Sequence, residues 1–132
     1  MKVRLDELNV HFDHRGFVFE PLEAEKIFLQ RNAHVVMTTP GEVRGNHAHP
    51  SGTETIVVIG PALVRFREND ELRDIEIPDK RVYRFVFPPG APHAIKNVGN
   101  KPNFLIAFSN HKHHPKKPDV VNQIVIPAPG PI

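Results

Sequence analysis

The chain has 132 residues, no cysteine and a formal net charge of +2 at pH 7. This length predicts one domain with a modest core, and the missing cysteines exclude a disulfide framework and thiolate chemistry. The chain contains no run of 18 apolar residues, no signal-like N-terminus and no basic patch with interleaved aromatic residues. We therefore expect a cytoplasmic protein with neither a membrane nor a nucleic-acid partner.

Prolines are spread along the whole chain, 14 in all, which favours short strands and stiff turns over long helices. Only 22–30 has helical character, and that stretch is ambiguous between helix and strand. Seven or more short strands between Gly/Pro turns predict an all-β fold, an antiparallel sandwich or barrel. The predicted strands, taken in order, are 5–12, 17–20, 33–39, 53–59, 62–67, 72–77, 82–87 and 103–109, with a late edge strand at 122–126.

A cluster of histidines carries the chemistry. His47 and His49 stand two residues apart, and on an extended strand such residues point to the same face. A hairpin across the turn at 50–52 would bring the Glu54 carboxylate beside both imidazoles. His93 follows a second rigid Pro/Gly turn. Three neutral imidazoles and one carboxylate predict a site for a divalent transition metal, with zinc as the first choice and manganese, iron or nickel open.

Two stretches resemble the paired motifs of the cupin superfamily. In the first motif the matching residues are Gly41, His47, His49 and Glu54, with Gly60 one residue early. In the second they are Pro88, Gly90, His93 and Asn97, with Val82 where a glycine is usual. The resemblance implies a single-domain cupin jelly-roll β-barrel with few or no helices and a metal inside its mouth.

Within the cupins, the chain resembles the nucleotide-sugar branch. Asp13–Gly16 resembles the D-X-R-G opening of dTDP-sugar 3,5-epimerases, and Arg44–His49 resembles the R-G-X-H-A-H signature of dTDP-4-keto-6-deoxyhexose 3,4-ketoisomerases. Residues 33–126 are similar to the C-terminal cupin domain of capsular-polysaccharide enzymes that epimerise and reduce a UDP-amino sugar. We therefore expect 1–32 to be N-terminal strands that can exchange within a homodimer, 33–126 to be the cupin barrel and 127–132 to be a tail.

The resemblance implies a metal-binding epimerase or isomerase of polysaccharide biosynthesis that acts on a nucleotide-linked 4-keto sugar. Moving a proton next to a ketone needs a base near neutral pH and a positive group for the oxyanion. Either the metal supplies the charge and another residue is the base, or the site works without metal and His47 is the base. Arg44 is a second candidate for the positive group, and Tyr83 could act as an acid if its strand face points inward.

For substrate contacts the resemblance suggests Arg15 and Arg44 on the diphosphate, because guanidinium pairs bidentately with phosphate, and Asn97 from the second motif. One departure bears on activity. The 3,5-epimerases carry a catalytic tyrosine after the second motif, and the corresponding stretch here, 104–108, has none. Two alternatives therefore stay open: a non-catalytic, metal-dependent cupin that binds a sugar or other small molecule, and a cupin dioxygenase.

Overall fold

The computed structural model describes residues 2–127, and it is almost entirely β-structure. Its one helix, α1, covers Ala24–Ile27, and no helix among these residues is long and apolar enough to cross a membrane. The strands are β1 (Arg4–Glu7), β2 (His11–Asp13), β3 (Gly16–Val18), β4 (Asn32–Thr38), β5 (Val43–Ala48), β6 (Glu54–Ile59), β7 (Ala62–Glu68), β8 (Glu71–Ile77), β9 (Val82–Phe87), β10 (His93–Asn97), β11 (Asn103–Ser109) and β12 (Val121–Asn122).

Two antiparallel five-stranded sheets form the body of the protein. Sheet one has the order β1-β9-β6-β11-β4, sheet two has the order β12-β5-β10-β7-β8, and β2 and β3 form a separate hairpin. The predicted all-β jelly-roll fold is confirmed. The two sheets do not close into a continuous barrel, because within residues 2–127 no strand pairing joins the edge strand β4 to sheet two. The sandwich therefore has an open side between β4 and β5.

Alternation along the strands builds the core between the two sheets. In β7, Ala62, Val64 and Phe66 are fully buried, while Leu63, Arg65 and Arg67 alternate with them and are only half-buried. In β9, Phe85 and Phe87 lie on the inner face, with their rings stacked 5.8 Å apart. Apolar side chains on alternate residues are what a strand covered on one face requires.

Three local predictions need correction. The expected strand 5–12 is two strands, because β1 pairs with β9 whereas β2 pairs with β3. The ambiguous stretch 22–30 forms only the four-residue helix α1. The expected late strand 122–126 ends at Asn122, because the backbone N–H groups of Val125 and Ile126 donate to the Asn46 side chain instead of to a strand. Of the predicted tail 127–132, residues 128–132 lie outside the described part of the chain. Subunit exchange by 1–32 stays a prediction.

A bulge in β5 decides which side chains reach the space between the sheets. His93 pairs with His47, but the next residue of β10 pairs with Gly45, so Asn46 is an extra residue in β5. Gly45 and Asn46 both have positive φ, +89° and +58°. The extra residue reverses the alternation, so that Arg44 returns to the inner face on which His47 lies.

We expect Gly45→Ala to destabilise the protein more than Gly41→Ala. Both glycines have positive φ, +89° and +82°, so each substitution carries a backbone cost of about 1–2 kcal/mol. A Cβ at Gly45 would lie 2.8 Å from the His93 carbonyl oxygen, whereas one at Gly41 meets nothing within 4 Å. Urea unfolding of both variants measures the difference. Equal losses of stability would contradict the close approach of β5 to β10.

Candidate metal centre

The four predicted ligands come together from opposite sheets. His47 lies in β5, His49 directly follows it and His93 begins β10, all in sheet two, while Glu54 begins β6 in sheet one. The predicted hairpin between the histidines and Glu54 is therefore wrong, since β5 and β6 belong to different sheets. The chain crosses between the sheets at 49–53, and the carboxylate meets the imidazoles across the sandwich.

The geometry of the cluster suits a single small cation. One ligand atom from each of the four residues lies within 4.8 Å of the others. Glu54 Oε1 is 2.8 Å from His93 Nε2, and Glu54 Oε2 is 3.1 Å from His49 Nε2. The His47 ring centroid is 4.7 Å from that of His49 and 5.0 Å from that of His93. Glu54 and His93 are buried, and His47 and His49 are half-buried.

Backbone carbonyls determine which nitrogen of two imidazoles is free. His49 Nδ1 lies 2.7 Å from the Asp119 carbonyl oxygen, and His93 Nδ1 lies 2.9 Å from that of Ala91. A carbonyl can only accept, so each Nδ1 carries a proton, and each neutral ring then turns an Nε2 lone pair towards Glu54. Lone pairs facing a carboxylate repel it unless a proton or a cation lies between them.

The His49 nitrogen gives a direct test of fit. Its buried Nε2 has no hydrogen bond among the described residues, because its approach to Glu54 is close but poorly aligned. A buried polar atom without a partner is costly, and a metal ion would satisfy it. Three imidazole nitrogens and a carboxylate oxygen are also the donor set that suits zinc and other divalent transition metals. The residues present therefore fit a metal.

Burial and neighbouring charges shift the pKa values of the candidate ligands in different directions. Burial acts against the charged form of Glu54, but the close contacts of its two oxygens with His49 and His93 outweigh it and hold the pKa of Glu54 far below its ordinary value. Burial likewise opposes the charged form of His49, but Glu54 and the Asp119 carbonyl outweigh it and raise the pKa of His49. Burial, together with the neighbouring histidines, lowers the pKa of His47 to about 4.

Residues around the cluster hold the ligands in place. The Asp119 carboxylate accepts hydrogen bonds from the backbone of Ser51 at 3.0 Å and of Gly52 at 2.8 Å, which fixes the crossing segment after His49. The Phe87 ring stacks on His93 at 4.2 Å. Nothing in the sequence places Asp119 against His49, 70 residues away.

A cavity of about 250 Å³ opens beside the cluster, at the unclosed side of the sandwich. Arg44 spans the opening, and its Nη2 donates to the Met37 carbonyl oxygen of β4 at 2.8 Å. His34 was not among the predicted site residues; it alternates with Val36 in β4, but only the pairing of β4 with β11 shows that this face is the inner one. The residues that line the cavity are His34, Val36, Arg44, Gly45, His47, Glu54, Ile56, His93, Ile95, Leu105 and Ala107.

Three other predicted site residues lie elsewhere. Tyr83 faces inward, but it stacks on Phe85 and does not line the cavity. Asn97 is buried, and its side-chain amide forms hydrogen bonds with the backbone of residues 38, 99 and 101. The side chain therefore holds turns together and is not free to contact a substrate. Arg15 pairs with Asp13 on the exposed β2–β3 hairpin. The structure thus brings Arg44 to the metal ligands, but not these three.

The chain matches one protein-family model, described as polysaccharide biosynthesis C-terminal domain, over residues 11–121. No curated protein sequence matches it. Among solved structures, it is similar to the capsular polysaccharide assembling protein CapF from Staphylococcus aureus, with 26% identity and a TM-score of 0.66. That match covers 89% of this chain but only 32% of CapF, so the chain spans about a third of that protein.

Two further structures share the fold. QdtA, a sugar 3,4-ketoisomerase from Thermoanaerobacterium thermosaccharolyticum in complex with TDP, has 17% identity and a TM-score of 0.69, covering 92% of this chain and 88% of QdtA. ChmJ, a 3'-monoepimerase from Streptomyces bikiniensis in complex with dTDP-quinovose, has 18% identity and a TM-score of 0.70, covering 86% of this chain and 66% of ChmJ. The expected resemblance to nucleotide-sugar cupins is confirmed at the level of fold.

We expect zinc to bind more tightly as pH rises from 6 to 8. Zinc must displace the proton that the raised pKa of His49 retains, whereas His47, with its pKa at about 4, is neutral throughout this range. Affinity should fall by about tenfold per pH unit below the His49 pKa for each proton displaced. Competition with a zinc-indicator dye at pH 6, 7 and 8 measures this dependence.

The matched variants are His49→Ala and His113→Ala, since His113 is an exposed residue far along the chain from the cluster. Loss of a direct ligand should cost more than the roughly 10–100-fold that loss of a supporting residue costs. His113→Ala should bind zinc as the wild type does. Equal zinc affinity in the two variants, or affinity independent of pH, would contradict the assignment of these ligands.

Proposed function

This chain belongs to the polysaccharide biosynthesis C-terminal domain family, and on that premise we propose that it is a metal-binding isomerase of nucleotide-linked 4-keto sugars. The reaction would be epimerisation or ketoisomerisation at a carbon next to the ketone. One observation carries the proposal: three histidines and a glutamate form a cation-binding cluster at a cavity whose mouth is spanned by an arginine.

The chemistry requires positive charge where the ketone oxygen becomes an oxyanion. A bound divalent metal would supply that charge as a Lewis acid, held by His47, His49, Glu54 and His93. Arg44 can supply positive charge in addition to the metal, because the bulge in β5 turns its side chain to the cavity side. Its guanidinium is always protonated, and it can pair with a phosphate or an oxyanion at the opening.

The size and lining of the cavity agree with a sugar ring as the buried part of the substrate. Part of the cavity lining is aliphatic, formed by Val36, Ile56, Ile95 and Leu105. The charged groups of the lining are Arg44 at the mouth and the residues of the metal cluster. The nucleotide and diphosphate would then remain at the opening beside Arg44. The nucleotide ligands named for QdtA and ChmJ support this class of substrate.

A second candidate is a metal-dependent sugar-binding protein without catalytic activity. The placement of Tyr83 favours it, since the one tyrosine of the chain does not line the cavity. Both candidates require the same metal cluster and the same cavity. They differ in whether a bound 4-keto sugar exchanges the hydrogen next to its ketone.

We also propose a homodimer. Exposed apolar side chains lie together on the outer face of sheet one, where Met37 pairs with Phe104 across β4 and β11. Val35, Met37 and Phe104 are 66%, 44% and 48% exposed. A contiguous apolar face of this kind usually marks an interface.

Light scattering coupled to size exclusion tests the dimer. Val35→Arg should convert it to a monomer, because the new charge would have to be desolvated in the interface. Leu72→Arg is the control, since Leu72 is 49% exposed on sheet two. A wild-type protein that is monomeric at high concentration would contradict the proposed dimer.

We expect the zinc-loaded protein to catalyse deuterium incorporation into a 4-keto sugar in D2O. TDP-4-keto-6-deoxyglucose and a UDP-4-keto sugar are the probes, and NMR measures exchange next to the ketone. Arg44→Met should lower the exchange rate by about 10²–10³-fold through loss of charge stabilisation. Arg31→Met, outside the cavity lining, is the control. Binding of either sugar without exchange would favour the binding protein over the isomerase.

A further inference from the structure

We propose that His34 is the proton-transfer residue of this cavity, which takes the proton from the carbon next to the substrate ketone and returns it. The inference rests on the proposed function and names the base that function needs. His34 belongs to neither of the cupin motifs in the sequence. Its assignment comes from its position on β4 and from the chemistry of the other cavity residues.

The strand register places His34 on the inner face of sheet one. His34 pairs with Ala107 of β11, and Ala107 pairs with Ile56 of β6. Both partners are buried, at 3% exposure each, and both line the cavity. Side chains directly opposite each other on neighbouring strands lie on the same face of a sheet, so the His34 imidazole lies on the cavity face with Ala107 and Ile56. Because β4 is the edge strand, this imidazole lies at the open mouth.

Elimination leaves His34 as the free base. The ionisable residues in the cavity lining are His34, Arg44, His47, Glu54 and His93. The metal would take the ligand nitrogens of His47 and His93 and the Glu54 carboxylate, and Arg44 stays protonated at any working pH. Among residues 2–127, no hydrogen bond or ion pair engages the His34 side chain. It is therefore the one cavity group able to accept a proton while the metal is bound.

The position of His34 opposite the charged groups suits enolisation. Arg44 reaches β4 by a 2.8 Å hydrogen bond to the Met37 carbonyl oxygen, so β4 and β5 stand within one arginine length of each other. His34 lies on the β4 wall of this gap, while His47 and His93 lie on the sheet-two wall. A sugar ring between the walls would have its ketone oxygen towards positive charge and a neighbouring C–H towards His34.

The proposed step balances without any further reactant. A neutral His34 nitrogen forms a bond to the hydrogen as the C–H bond breaks, and the electron pair moves into the C–C bond of an enolate. The former ketone oxygen takes the negative charge, next to Arg44. The imidazolium then gives its proton to the former ketone carbon, while the hydroxyl proton of the deprotonated carbon moves to the former ketone oxygen, which completes a ketoisomerisation. Epimerisation would require a second donor on the opposite face, so a single His34 fits ketoisomerisation best.

The test compares wild type, His34→Ala and His113→Ala, all loaded with zinc, with TDP-4-keto-6-deoxyglucose and a UDP-4-keto sugar in D2O. His34→Ala should slow exchange next to the ketone by about 10²–10⁴-fold, which is the usual contribution of general acid–base catalysis. Zinc affinity and sugar binding should be unchanged. Because His34 lies at the open mouth, added imidazole should restore exchange in proportion to its concentration, an effect that a purely structural role would not produce.

Each outcome decides the matter. Exchange by His34→Ala within threefold of wild type would overturn the assignment and leave the isomerase intact. A loss of exchange that imidazole does not restore, or that accompanies loss of zinc, would also overturn it. Zinc-loaded wild type that binds either sugar without exchange would overturn the proposed function, and the assignment of His34 with it.

Discussion

The site depends on one buried contact between the two sheets, the Glu54 carboxylate with its oxygens turned to His93 and His49. Burying a carboxylate is costly unless charge and hydrogen bonds compensate for it. Here His93 contributes a hydrogen bond and His49 a close polar contact, and together they lower the pKa of Glu54. The carboxylate therefore stays charged inside the sandwich, which is the condition for holding a cation there.

This contact lies beside the open side of the sandwich. A cation site that exchanges ligands with solvent needs one approachable side, and the gap between β4 and β5 provides it. Arg44 closes part of the gap by a hydrogen bond to β4 and leaves a cavity beside the cluster. The same open side accounts for the mixed character of the cavity, with aliphatic residues inside and ionisable residues near the mouth.

The support around the ligands comes from distant parts of the chain. Asp119 contacts both His49 and the crossing segment, and the Asn46 side chain binds the backbone of Val125 and Ile126. The final described segment thus lies along β5, beside the ligands. Such supporting contacts orient metal ligands and tune their affinity, so we regard this segment as part of the site.

The sequence by itself determined the fold class, the four candidate metal ligands and the kinship with nucleotide-sugar cupins, because these follow from alternation, ligand chemistry and spacing within short stretches. It could not place Glu54 in the opposite sheet, because a turn after a strand is compatible with a hairpin or with a crossing. Nor could it show that Asn46 is an extra residue that turns Arg44 inward, that Asn97 is occupied by backbone contacts, or that His34 faces the cavity. Those facts depend on which strands pair and in what register, and pairing between distant segments is decided only when the whole chain packs.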